Sequence, residues 1–117
     1  MTEASVLDPD ALQRLMGFGG PKLLRGMIEL FVENAPSRAA EAREALDCGD
    51  AAALRAALHG LKSSAGQLGA YTVFNACNTG EELASRGELS GCAPHVAVVE
   101  SDLPVAMSQL QAFAAAQ

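Results

Sequence analysis

Apolar residues recur along the chain at the three-and-four spacing of amphipathic helices, interrupted by Pro, Gly and Asp. Asp8-Pro9 reads as a helix start, with Asp at the N-cap and Pro at the first helical position. A short helix carrying Ala11, Leu12 and Leu15 follows and ends at Gly17-Phe18-Gly19-Gly20. Pro21 opens a long segment with Leu24, Met27, Ile28, Phe31, Ala35, Ala39, Ala42 and Leu46 on one stripe. The stripe keeps its phase through Pro36, which predicts a kink rather than an end. Gly49 suits the C-cap. Asp50 then caps a helix that runs to about Leu68, with Gly69 just past it. Tyr71 to Arg86 forms another, with Val73, Ala76, Cys77, Gly80 and Ala84 on one face. A glycine inside a helix costs about 1 kcal/mol relative to Ala, so Gly80 marks a close helix contact. Gly87 to Ala93 reads as a loop, and Pro94 as the start of a last helix bent at Pro104.

Four substantial helices on short connections make antiparallel neighbours. The expected fold is all-α: an up-down-up-down four-helix bundle, with the short N-terminal helix as an extra lid. The 117 residues fit one domain, 1–117, large enough to bury a core without metals or disulfides. An Ala- and Leu-rich composition without Trp agrees with packed helices.

Charge and cysteine usage remove several classes of function. The net charge is −6 and no basic stripe follows the chain, which argues against nucleic acid. Three cysteines, Cys48, Cys77 and Cys92, form no C-x-x-C pair, so neither a disulfide framework nor a zinc site is expected. The acidic N-terminus has no apolar core of a signal peptide, and no stretch approaches the roughly 20 apolar residues of a membrane span. The expected setting is cytoplasmic and reducing, with no membrane contact. The starting Met and the full set of helices lead us to expect a free-standing monomer.

The chemistry concentrates between Ala57 and Ala70. With each residue turned by about 100°, Leu54, Leu58, Leu61, Ala65 and Leu68 fall within an arc of about 80° and form the core stripe. His59 points about 140° away from the centre of that stripe. Its neighbours on the outer face are Arg55, Lys62, Ser63 and Gly66, at the spacings that touch on a helix surface. No carboxylate of this helix lies near it. An exposed imidazole therefore stands among small residues and two cations, in a chain that is acidic as a whole. A neutral imidazole is nucleophilic near pH 7. Lys62 can stabilise charge on a transferring phosphoryl group, and such electrostatic help supplies most of the catalysis in phosphoryl transfer. Ser63 offers a hydroxyl to the same group. Arg55 is expected to pair with an acidic residue rather than touch phosphate. Gln67 lies about 80° from His59 and is a weaker candidate for orienting the ring. No Gly-rich nucleotide loop, Walker motif or metal-binding carboxylate cluster occurs, so the domain must receive its phosphate from a partner.

These residues resemble the histidine-containing phosphotransfer family of two-component phosphorelays. The family's segment reads A/L-H-x-L-K-[GS]-[SA]-[SA]-x-x-[LV]-G-A. This chain reads Leu58-His59-Gly60-Leu61-Lys62-Ser63-Ser64-Ala65-Gly66-Gln67-Leu68-Gly69-Ala70. Phe31 followed by Pro36, Gly49-Asp50, and Cys77 followed by Glu81 and Ala84 are also similar to family stretches. Ser63 stands where many members have Gly, and Gly80 replaces the usual Leu.

The resemblance implies that His59 is phosphorylated and that Lys62 supports the phosphoryl group. It implies response-regulator receiver domains as partners, with a sensor or hybrid histidine kinase upstream. It implies no cofactor of the chain's own, since the receiver would supply Mg²⁺. Docking is expected on the outer face around His59 together with exposed apolar residues such as Leu12, Leu15 or Met16. Gly66 is expected to leave the imidazole clear for a partner. The alternative is a phosphorylation-independent helical module that binds receiver or kinase domains. The intact His59/Lys62 pair discriminates between the two, because a degenerate module would be free to lose it.

Overall fold

The computed structural model describes residues 7–117. Four helices make the bundle: α1, Pro9–Cys48; α2, Ala51–Gln67; α3, Tyr71–Ser85; and α4, Leu89–Ala115. Each packs on the next, and α1 closes the ring against α4.

The short N-terminal helix is present as the first arm of α1. It ends where Gly20 leaves helical geometry at φ 70° and ψ −169°. Pro21 explains the break, because a proline disfavours the helical region for the residue before it and is itself well placed to begin a helix. The first arm caps the end of the bundle. The Asp8 side chain accepts from the Asp10 N–H at 3.0 Å, and the Asp8 N–H donates to the Gly69 carbonyl at 2.8 Å. At Pro36 α1 stays helical.

The three turns between helices are built alike. Gly49, Gly69 and Gly87 all have φ near +75°. The next residue's N–H reaches back five positions: Asp50 to Ala45, Ala70 to Ala65, and Glu88 to Leu83, at 2.8, 2.8 and 2.9 Å. The glycine's own N–H bonds three positions back in each turn. This is the Schellman arrangement, which satisfies the last carbonyls of a helix and needs a left-handed residue. Asp50 then caps α2 through its carboxylate, which accepts from the Ala53 N–H at 3.0 Å.

The last helix starts earlier than the pattern suggests. The expected loop from Gly87 to Ala93 gives way to helix from Leu89, and Pro94 lies inside α4. Packing decides this. Cys92 is fully buried and its Sγ–H donates to the Gly80 carbonyl at 3.4 Å, while Leu83 covers Gly91. Pro94 forfeits only the bond to the carbonyl of Ser90, an exposed residue that water can reach. His95 is consequently a mid-helix residue and half-buried.

The core follows the stripes. Leu54, Leu58, Leu61, Ala65 and Leu68 are all buried, and so are Leu24, Ile28 and Phe31 of α1. No polar or charged residue is buried among the described residues. No helix is long and apolar enough to cross a membrane. Two glycines let α2 and α3 approach closely. A Cβ at Gly80 would lie 2.8 Å from Leu58 Cδ1, and one at Gly66 would lie 2.9 Å from Phe74 Cδ1. Gly66 is thus a packing residue under the Phe74 ring. The sequence had suggested a role in partner access.

Two outcomes are expected. Leu61→Ala removes a side chain that is 1 % exposed and should lower unfolding free energy by about 2–5 kcal/mol in denaturant titration. A change below about 0.5 kcal/mol, typical of surface sites, would contradict this placement. Thiol titration of the native domain at pH 8 should find Cys48 fast-reacting and Cys77 and Cys92 protected until unfolding. Cys48 is exposed, whereas burial, aided by the Glu81 charge, pushes the Cys77 thiol up to about 12.

Candidate functional site

The outward face of α2 carries His59 as the helical phase requires. Its side chain is 64 % exposed while Leu58 and Leu61 beside it are buried. The ring's inner nitrogen is held from the neighbouring helix. His59 Nδ1 lies 2.8 Å from Glu81 Oε1 on α3. Lys62 Nζ lies 2.7 Å from Oε2 of the same carboxylate. One glutamate thus bridges the two α2 side chains that the sequence singles out. The Lys62 and Glu81 side chains are 23 % and 13 % exposed, so the bridge lies under the surface while the imidazole stands proud of it.

The carboxylate's protonation follows from this geometry. Partial burial opposes ionisation of Glu81, but the hydrogen bonds and charges of Lys62 and His59 outweigh it and hold the carboxyl below its ordinary range. An ionised Glu81 accepts the Nδ1 proton of a neutral imidazole. The tautomer that makes this bond carries its lone pair on Nε2, the nitrogen without a hydrogen bond among the described residues.

Glu81 is the residue that the sequence reading left without a role. No carboxylate lies near His59 on α2, but the antiparallel hairpin brings one across from α3. The signal was available: Glu81 follows Gly80, which reads as a close-contact position.

The remaining candidates divide between the two flanks of His59. Ser63 is exposed and makes no hydrogen bond among the described residues. Gly60 lies under Arg38 of α1, whose guanidinium carbon would be 3.3 Å from a Cβ there. On that side a groove of about 530 Å³ separates α1 from α2, lined by Leu30, Asn34, Arg38, Gly60, Ser64 and Gln67. Gln67 therefore faces the α1 groove, away from the Glu81 bridge. Arg55 is exposed and has no ion pair or hydrogen bond among the described residues, contrary to the expected acidic partner. Two carboxylates of α3 are taken by other partners: Glu81 by Lys62 and His59, and Glu82 by Arg86.

The apolar docking residues also need correction. Leu12 is 1 % exposed and belongs to the core, and Leu15 and Met16 pack partly against it. The large apolar side chains that α1 does present are Phe18, Leu23 and Leu30. The first arm turns its stripe inward onto the bundle's end, which a short lid must do to have any core of its own. No cluster of three or more His, Cys, Asp or Glu side chains that could hold a metal occurs among the described residues.

Comparison with known proteins agrees with this architecture. No curated protein matches the chain. Two solved structures resemble it across most of their length. One is the histidine-containing phosphotransfer protein B (HptB) of Pseudomonas aeruginosa PAO1, with TM-score 0.88 and 25 % identity over 98 % of this chain and 99 % of that one. Another is the histidine-containing phosphotransfer protein ZmHP2 from maize, with TM-score 0.74 and 27 % identity over 92 % of this chain and 86 % of that one. The Hpt domain family model matches residues 26–113, spanning the long arm of α1 through α4, and by that match the chain belongs to the Hpt domain family.

Proposed function

We propose that this protein carries a phosphoryl group on His59 Nε2 between receiver domains of a two-component phosphorelay. Membership of the Hpt family supports a phosphotransfer role in two-component signalling and, in general, interaction with histidine kinases and receiver domains. The observation that carries the finer reading is the 2.8 Å contact between His59 Nδ1 and Glu81, on a side chain that is otherwise largely exposed.

The chemistry follows in order. The Nε2 lone pair attacks the phosphorus of a receiver's aspartyl phosphate in line. The P–O bond to the aspartate breaks, and its electron pair returns to that carboxylate. The Nδ1 proton stays on the ring, which becomes cationic as the N–P bond forms. Glu81 stands against that charge, while Lys62 balances Glu81 in the resting state. The return reaction uses the same contacts, with the phosphorylated imidazole as leaving group. The chain needs no nucleotide for this, and Mg²⁺ would arrive with the receiver.

Docking would use the outer face of α2 together with the α1 groove, where Leu30 supplies apolar surface beside Arg38 and Gln67 and Leu23 lines an adjoining depression. An apolar patch near a polar, exposed imidazole suits a partner that must bind, react and leave.

Two measurements test this. Incubation with phosphorylated receivers should place acid-labile, alkali-stable label on the wild type and none on His59→Gln. Binding without label on either form would instead make the protein a phosphorylation-independent interaction module. Glu81→Gln keeps an acceptor for Nδ1 but removes the charge, so transfer should slow by about tenfold, the worth of one charge-assisted bond. The same variant has a pH signature. A depressed carboxyl stabilises the fold fully above its ordinary value near 4.5 and loses that contribution as pH falls through the folded value. The melting temperature of Glu81→Gln should therefore fall less than that of wild type on acidification below about pH 4.5. Superimposable acid limbs would deny that Glu81 is held ionised.

A further inference from the structure

The cation that the sequence points to, Lys62, is already engaged: its Nζ lies 2.7 Å from Glu81. Three of the other cations are likewise committed, whereas Arg14, Lys22 and Arg25, all on α1, are not among the described residues. Arg43 pairs with Glu100 and Asp47, and Arg86 with Glu82 and Glu88. Arg38 lies over Gly60 with Glu41 at 3.8 Å. Arg55 differs, being exposed on the His59 face with its five donors unused among the described residues.

Position adds direction to this availability. Arg55 is four residues before His59, so their Cβ atoms are about 6 Å apart. Side chains on a helix lean toward its N-terminus, and each covers the turn before its own. By that general lean, a side chain at position 59 covers the turn that carries Arg55 rather than the turn that carries Ser63. Arg55 is also rotated about 40° from His59 toward the same flank as Lys62. A planar guanidinium with paired N–H donors matches two oxygens of a phosphoryl group.

We infer that Arg55 is the residue that grips the phosphoryl group at His59 Nε2, donating to its non-bridging oxygens as it arrives and while it is held. Lys62 then acts chiefly through Glu81. This inference rests on the reading of His59 as phosphoacceptor, so its test must separate the two.

Phosphoramidate serves as a donor that needs no docking surface. Nε2 forms the new N–P bond, the donor's own P–N bond breaks, and its electron pair leaves with ammonia. Labelling rates are compared for wild type, Arg55→Gln, Arg55→Lys and Arg25→Gln. Arg25 is an exposed arginine of α1 beside the groove between α1 and α4, and it controls for loss of one charge. Arg55→Gln should be slower by about tenfold, as for one charge-assisted hydrogen bond, with an unchanged melt. Arg55→Lys should recover part of the rate, and Arg25→Gln should match wild type. In the phosphorylated domain, made with either donor, the Arg55 Nε–H resonance should shift relative to the unphosphorylated form.

Equal rates for Arg55→Gln and wild type would overturn the inference. So would equal slowing by Arg25→Gln, which would reduce the effect to net charge. Slowing only with receiver donors would make Arg55 a docking residue, and an unmoved Nε–H resonance would deny the contact. Wild type that takes no label from either donor would instead fail the phosphoacceptor reading itself.

Discussion

The close approach of α2 and α3 is the constraint on which the site depends. Leu58 inserts where Gly80 has no side chain, and Phe74 lies where Gly66 has none. Both contacts would be blocked by a single methyl group. Leu58 precedes His59 and Gly80 precedes Glu81, so the packing that seats one pair in the core brings the next pair together at the rim. A wider helix spacing would leave Glu81 short of the imidazole and Lys62 without its carboxylate. Two positions that lower helix propensity thus secure a 2.8 Å contact elsewhere.

The division between core and rim has an electrostatic consequence. The described core holds no polar residue, so the fold does not rely on the bridge for its interior packing. The bridge in turn sits where water is partly excluded, and there a carboxylate between a lysine and an imidazole keeps more of its attraction than in open solvent. Complete burial would make both charges costly to hold, while full exposure would let water and salt screen the pairing. The intermediate depth of Lys62 and Glu81 lets them fix a tautomer without burdening the core.

Much of this was legible from residue order alone. The α2 stripe placed Leu58 and Leu61 inside and His59 outside because one helix obeys one period. Gly49, Gly69 and Asp50 marked turns whose geometry needs those residue types. The misses share a cause: each depends on a neighbouring helix. Pro94 looked like a start because the pull of Cys92 onto α3 cannot be seen within α4. Leu12 looked available because a short helix shows no sign of what it covers. Glu81 was not connected to His59 because it is 22 residues away in the chain. Yet the hairpin register contains it: His59 lies ten residues before Gly69 and Glu81 twelve after, so the two arms place them nearly level. Counting outward from a glycine turn would have paired them.

The same accounting explains why a carrier of this kind can be small. In the proposed reaction the protein must keep one nitrogen free, balance the charge that appears on the ring, and hold three phosphoryl oxygens loosely enough to release them. Glu81 addresses the first two through a single carboxylate, since the bond that occupies Nδ1 also faces the developing cation. Arg55, unpaired at rest, would address the third without breaking an existing salt bridge. Recruiting Lys62 for that purpose would strip Glu81 of its counter-charge just when the imidazole becomes cationic. Separating the cation that steadies the carboxylate from the cation that meets the phosphate allows each to act without undoing the other.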